Sequence, residues 1–236
     1  MRFRLPMRRT VFLLAIFAFS LVALIPLRVA VGWFGADGLA AREASGSIWL
    51  GVLKEAQFGP VALGDVQARL NVLPLLLGRA RLSLSRDEAD GRLEGALSVS
   101  RHSFGIEDVT GRIRTGTLFA PVPVGALDLD DFSVQFAGGL CESAEGRVRA
   151  TLSGEMGGVA LPGGLAGDAR CADGALLLPL AGESGMGRLN LNIRAGGAYR
   201  IDLIVRQSDP GLVARLIAAG FQPSTEGYVR RIEGHF

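Results

Sequence analysis

The 236-residue sequence predicts a mainly β protein: a single N-terminal transmembrane helix, then a curved, meandering antiparallel β-sheet domain with one short C-terminal helix. Three observations carry that reading. An arginine-flanked apolar run opens the chain. From Ser47 onward, apolar and polar residues alternate with a period of two between glycine-rich turns. Helical periodicity beyond the opening run is confined to a stretch near Asp209, with a brief helical turn near Leu73.

Arg2, Arg4, Arg8 and Arg9 precede an uncharged run from Thr10 to Leu27, which Arg28 closes. At about 1.5 Å of rise per residue, the run covers most of a hydrocarbon core about 30 Å thick. Four arginines before it and one after orient the N-terminus to the cytoplasm and everything beyond to the exported side. The expected division is residues 1–9 cytoplasmic, 10–31 a transmembrane signal anchor, and 32–236 a periplasmic β-rich domain, with Trp33 and Phe34 at the outer interface. A cleaved signal peptide is the competing reading. Ala30-Val31-Gly32 offers small residues for cleavage and Pro26 a helix breaker, but the run exceeds the usual apolar region of about 7–15 residues.

In the exported part, Ala80, Leu82 and Leu84 alternate with Arg81, Ser83 and Ser85, and Leu93, Leu97 and Val99 face away from Arg92, Glu94 and Ser98. Val148, Ala150 and Leu152 repeat the pattern, as do Leu189, Leu191 and Ile193, then Tyr199, Ile201, Leu203 and Val205. Such strands bury one face only. Their sheet must curl, pair with a second sheet, or hold something apolar. Leu73-Pro74-Leu75-Leu76-Leu77-Gly78 predicts a short helical turn between strands, and Gly227–Phe236 a final strand. The one clear helix begins at Asp209, a capping residue, with Pro210 at its first position, and Gly220 can end it. Leu212, Val213, Leu216 and Ile217 form a stripe expected to pack on the sheet.

Cys141 and Cys171 both lie downstream of the membrane segment, and in an oxidising compartment an isolated pair is expected to form a disulfide. Closing a loop of about 30 residues contributes on the order of 3–4 kcal/mol in the chain-entropy model. That loop is rich in glycine, from Gly154 to Gly167. Two separate buried thiols are the alternative.

Little points to chemistry. His102 sits in a polar Ser-Arg-His-Ser stretch and His235 near the C-terminus, each fitting an exposed polar residue better than a general base. Asp128, Asp130 and Asp131 form the densest carboxylate group. Asp128 and Asp130 alternate with Leu127 and Leu129 on a solvated strand face, without the glycine and distal glutamate of a calcium loop. Lys54 is the only lysine, so no phosphate-binding Gly-x-x-x-x-Gly-Lys-[Ser/Thr] loop exists. With a net charge of +2 and scattered arginines, the chain carries no nucleic-acid footprint. The expectation is a protein that is not an enzyme, with no cofactor and no metal.

The order of parts resembles the type II secretion system protein N (general secretion pathway protein N) family. Ala44-Ser45-Gly46-Ser47-Ile48-Trp49-Leu50-Gly51 and Leu73-Pro74-Leu75-Leu76-Leu77-Gly78 are similar to its opening and following motifs. Cys141-x-x-Ala144-x-Gly146 with Cys171-x-Asp173-Gly174 is similar to its paired-cysteine region. Ser208-Asp209-Pro210, Leu216, Gly220 and Glu226-Gly227-Tyr228 are similar to its closing helix and strand. The resemblance implies an accessory subunit of a Gram-negative inner-membrane platform, with no catalytic residues to transfer. Two functions then compete: a periplasmic scaffolding module that docks other secretion-system proteins, and a periplasmic lipid-binding or lipid-conducting β-trough. A trough open along its length favours lipid; a closed core with a free strand edge favours protein docking by strand addition. An outer-membrane barrel is disfavoured, since beyond Trp33 only Trp49, Tyr199 and Tyr228 could supply Trp or Tyr to aromatic girdles.

Overall fold

The structure is a computed structural model that describes residues 11–14, 16–17, 20, 24, 27, 39–58, 61–88, 91–116, 118–120, 122–152, 154–156, 159–160 and 163–235. Most of the expected membrane segment, 10–31, with Trp33 and Phe34, lies outside the described residues. Among those described, no helix is long and apolar enough to cross a membrane.

Alternation and glycine turns produce one antiparallel meander. Strands β1 (Leu39–Ala40) and β2 (Glu43–Ser47) both pair with β3 (Leu50–Phe58), followed by β4 (Val61–Leu70), helix α1 (Val72–Leu76), β5 (Ala80–Glu88), β6 (Gly91–Val99) and β7 (Ser103–Arg114). The long β8 (Val124–Ala137) and β9 (Leu140–Leu152) form the middle of the sheet, and β10 (Glu155–Met156) with β11 (Val159–Ala160) makes a separate small hairpin. The chain returns through β12 (Gly164–Asp168), β13 (Arg170–Ala172), β14 (Ala175–Ala181), β15 (Gly187–Ile193) and β16 (Ala198–Val205). Helix α2 (Pro210–Ala218), β17 (Gln222–Ser224) and β18 (Gly227–His235) complete it. Each strand pairs with its sequence neighbour almost throughout, giving a 16-stranded open sheet running from β1 and β2 to β17. Its ends are distinguished by what they carry: α1 lies at one, with the turns Ser100–His102 and Gly138–Gly139, and α2 at the other.

Register puts the apolar residues of successive strands on a common face. Leu82 pairs with Leu97, Leu97 with Ile106, Ile106 with Val134 and Val134 with Ala144; further along, Leu178 pairs with Leu191 and Leu191 with Ile201. The opposite face carries cross-strand ion pairs. Arg112 binds Asp128 through two hydrogen bonds of 2.7 and 2.9 Å, and Arg147–Asp168, Arg200–Glu233 and Arg231–Asp202 repeat the arrangement. Those hydrogen bonds, then the opposite charge, raise the Arg112 guanidinium further above its ordinary range. All are solvent-exposed pairs that stabilise little individually.

β-Bulges bend the strands in their middles. Glu55, Asp108 and Asp131 take left-handed backbone conformations, with φ of 49°, 53° and 51°, where the ladders of β3, β7 and β8 slip. In each case the neighbouring strand caps the displaced N–H: Glu55 N donates to Asp65 Oδ1 at 3.0 Å, Asp108 N to Ser133 Oγ at 2.9 Å, and Asp131 N to Thr110 Oγ1 at 3.1 Å. Gly146 completes the line on β9. Its φ is 98°, and a Cβ there would lie 2.5 Å from Phe132 Cα. Extra residues at aligned positions increase twist and bend, which curls the sheet toward its apolar side.

Helix α2 starts as its sequence dictates, with Asp209 Oδ1 accepting from Gly211 N at 2.7 Å and Leu212 N at 3.1 Å. Of the stripe expected to pack, Leu216 is fully buried, Leu212 and Val213 are half-buried, and Ile217 is 52% exposed. The helix packs on the core through Leu216, with Leu212 and the following Ala219 beside it, and Ile217 lies off that line.

Candidate functional site

The apolar face is closed over its two lateral parts and only half-buried between them, and a third, small cluster of Ile48 and Leu70 packs against Trp49, Leu75, Ala80 and Leu82 at the α1 end. Over its C-terminal part, Phe119 and Val122 of the segment between β7 and β8, Leu216 of α2 and Phe221 close on Val148, Leu178, Leu191, Ile201 and Leu203. Phe119 meets Tyr199 edge-on, with ring centroids 5.7 Å apart, and the Tyr199 hydroxyl donates to Leu118 O at 3.1 Å. Over the N-terminal part, Leu27 seats against Leu53, Ala56, Val66 and Ala68.

Between these covers, Leu82, Leu84, Leu93, Leu97 and Ile106 stay half-buried, while Val99 is 46% and Phe104 44% exposed. Phe104 stacks on Phe136 at 5.2 Å. The strip is therefore an apolar channel floor along β5, β6 and β7. At the α2 end it is closed. Arg86, placed on the apolar face opposite Leu93, donates from Nη1 to Leu63 O at 2.7 Å and from Nη2 to Arg112 O at 3.4 Å. Those carbonyls belong to β4 and β7, whose Cα traces come within 8 Å of each other. The arginine thus straps two non-adjacent strands across the curl. At the α1 end, where Val99 and Phe104 lie, nothing comparable crosses the strip among the described residues.

The polar side carries a shallow groove of about 510 Å³ past Gln67, Arg69, Asn71 and Ser83, where Asn71 Nδ2 donates to Ser83 Oγ at 3.1 Å. It gathers no charged side chain away from solvent.

Cys141 and Cys171 are joined by a disulfide, with Cα atoms 5.6 Å apart. Its place explains its use. The β9–β12 ladder ends where Arg147 faces Asp168, with Ala169 N donating to Gly146 O at 2.9 Å, and the next backbone bond to β9 comes only at its start, from Cys141 N to Gly174 O at 2.9 Å. Beyond it, β13 pairs only with β14, so the covalent bond ties β9 to β13 where no ladder remains. The segment enclosed reaches the far end of the sheet through the β10–β11 hairpin.

The remaining polar candidates have local uses. His102 is exposed in the β6–β7 turn, and His235 is exposed at the end of β18. Asp128 is taken by Arg112, Asp130 faces Arg147 across the ladder, and Asp131 is a bulge residue. Among the described residues, no group of three or more His, Cys, Asp or Glu side chains could hold a metal ion. Arg86 and Leu27 were not singled out from sequence. Arg86 breaks the apolar series Ala80, Leu82, Leu84, and that break was the available signal.

A family model described as type II secretion system (T2SS), protein N matches residues 37–231, most of the chain. No curated protein and no solved structure matches it.

Proposed function

The chain belongs to the type II secretion system protein N family, and from that premise we propose that it is an accessory, non-catalytic subunit anchored in the inner membrane through its N-terminal segment, residues 10–31, of which Leu27 already packs on the sheet, and that its periplasmic domain scaffolds other secretion-system proteins. The observation that carries this reading is the half-buried strip of Leu84, Leu93, Leu97 and Ile106 between two closed cores, ending in the exposed Val99 and Phe104. A sheet face that leaves large aliphatic side chains half in water is where a partner gains most from burial, at about 25 cal/mol per Å² of apolar area removed. Strand addition is the weaker route. At one edge, β17 spans only Gln222–Ser224 and contains Pro223, a combination that discourages further pairing. Of the densest carboxylate group, Asp128 is held by Arg112 and Asp131 is a bulge residue.

The second reading, an apolar trough for lipid, is favoured by one specific feature: the strip is strapped shut by Arg86 at one end and open at the other, the shape that holds a chain by one end.

Placing a charge mid-strip with Leu97→Asp tests the proposal. The variant should be exported, form the Cys141–Cys171 disulfide and resist protease as the parent does, yet lower secretion to the level of a strain lacking the protein. Undiminished secretion by a folded Leu97→Asp chain would remove the strip from the function.

A further inference from the structure

The exposed large apolar residues of the sheet are not scattered. Leu50, Val72, Leu73, Leu77, Val99, Phe104 and Leu140 are each between 44% and 82% exposed, and register puts all of them at the α1 end. Leu50 closes the β2–β3 turn, Leu73 and Leu77 project from α1 and its exit, Val99 and Phe104 flank the β6–β7 turn, and Leu140 starts β9. At the α2 end the comparable residues are Met186 and Ile217. Two exposed arginines stand among the tips of the α1 end, Arg79 after α1 and Arg101 in the β6–β7 turn, and neither makes an ion pair among the described residues. Two exposed carboxylates, Glu142 and Asp173, stand at the same end beside Leu140, on the side away from Arg79 and Arg101 in the strand order.

An independent observation concerns Leu27, the last residue of the uncharged run. It is buried against Leu53, and a Cβ on Gly51 would collide with its side chain. Gly51 directly follows Leu50 and the rest of the cluster reaches Ala56 and Val66 in mid-strand, so the run ends over the part of β3 and β4 that runs from the apolar tips to the middle of the sheet. We propose that the α1 end is seated on the surface of the bilayer that holds the anchor. Leu73, Leu77, Leu50 and Leu140 enter the interface, Arg79 and Arg101 meet lipid phosphates, and the strands stand away from the membrane. Apolar tips rimmed by free arginines suit an anionic lipid surface, because the long arginine side chains keep their charge at headgroup level while the leucines pass below it. The open end of the strip then faces lipid and its strapped end faces the periplasm. This inference rests on the anchor reading of residues 10–31.

The full chain, reconstituted in nanodiscs of phosphatidylcholine and phosphatidylglycerol with brominated acyl chains, gives the test, using an environment-sensitive fluorescent amino acid placed in turn at Leu73, Leu140 and Met186. Emission at Leu73 and Leu140 should shift to the blue and be quenched by bromine, and emission at Met186 should do neither. Arg79→Glu with Arg101→Glu should lift the quenching at Leu73, as should replacing phosphatidylglycerol by phosphatidylcholine. Equal, weak quenching at all three sites in chains that co-elute with discs overturns the seating and leaves the anchor standing. Chains that do not co-elute overturn both. A blue shift at Leu73 that arises only when other secretion subunits are added makes the end a protein-docking surface and also overturns the proposal.

Discussion

Single residues decide where this sheet bends. Asp108 and Asp131 hold left-handed conformations that an L residue adopts at a cost of roughly 1–2 kcal/mol, tolerated best by Gly, Asn and Asp. Their N–H groups are capped from the adjacent strand by Ser133 and Thr110. Replacing Asp131 by valine should lower stability by about 1–2 kcal/mol in urea denaturation, and replacing it by glycine should change stability by less than about 0.5 kcal/mol. The same scale separates two neighbours on α2. Leu216→Ala should cost about 2–5 kcal/mol because the side chain is fully buried, whereas Ile217→Ala should cost less than about 1 kcal/mol. Helical periodicity places both on one stripe, and only the line of contact distinguishes them. The bulges were legible in part. The apolar series shifts phase from Leu127 and Leu129 to Phe132, Val134 and Phe136, and from Phe104 and Ile106 to Val109 and Ile113. Each shift falls on the residue with positive φ, or one beside it.

Elements followed from sequence where alternation was strict. β5, β6, β9, β15 and β16 place the expected residues on the apolar face, and α2 begins at Asp209 with its proline in place. Short elements were less visible: β12 and β13 fall within what the sequence reads as a glycine-rich loop, and they part at Ala169, where the chain leaves β9 for β14. That break makes the disulfide a tie between elements. Replacing Cys141 and Cys171 by serine should lower stability by roughly 2–5 kcal/mol in a denaturant titration and raise amide exchange along β13 more than along β15. Equal exchange along both strands would mean that the β13–β14 ladder holds β13 unaided.

At the scale of the whole molecule, one-sided strands could have closed by pairing with a second sheet, and the sequence left that open. The sheet curls instead. What alternation could not reveal is how much of the face is covered, because coverage depends on residues far away in sequence: Phe119 reaching Tyr199, Leu216 over the C-terminal strands, Leu27 over β3 and β4. The half-buried strip on β5–β7 is what they leave between them, and the scaffolding proposal stands on it. Its most direct measurement is photo-crosslinking in intact envelopes from a benzophenone amino acid placed at Leu84 or Leu97, with the solvent-facing Arg200 position as control. Adducts to another secretion-system subunit are expected from Leu84 and Leu97, and none from position 200. Adducts to lipid alone, or none from either strip position in a folded chain, would contradict it.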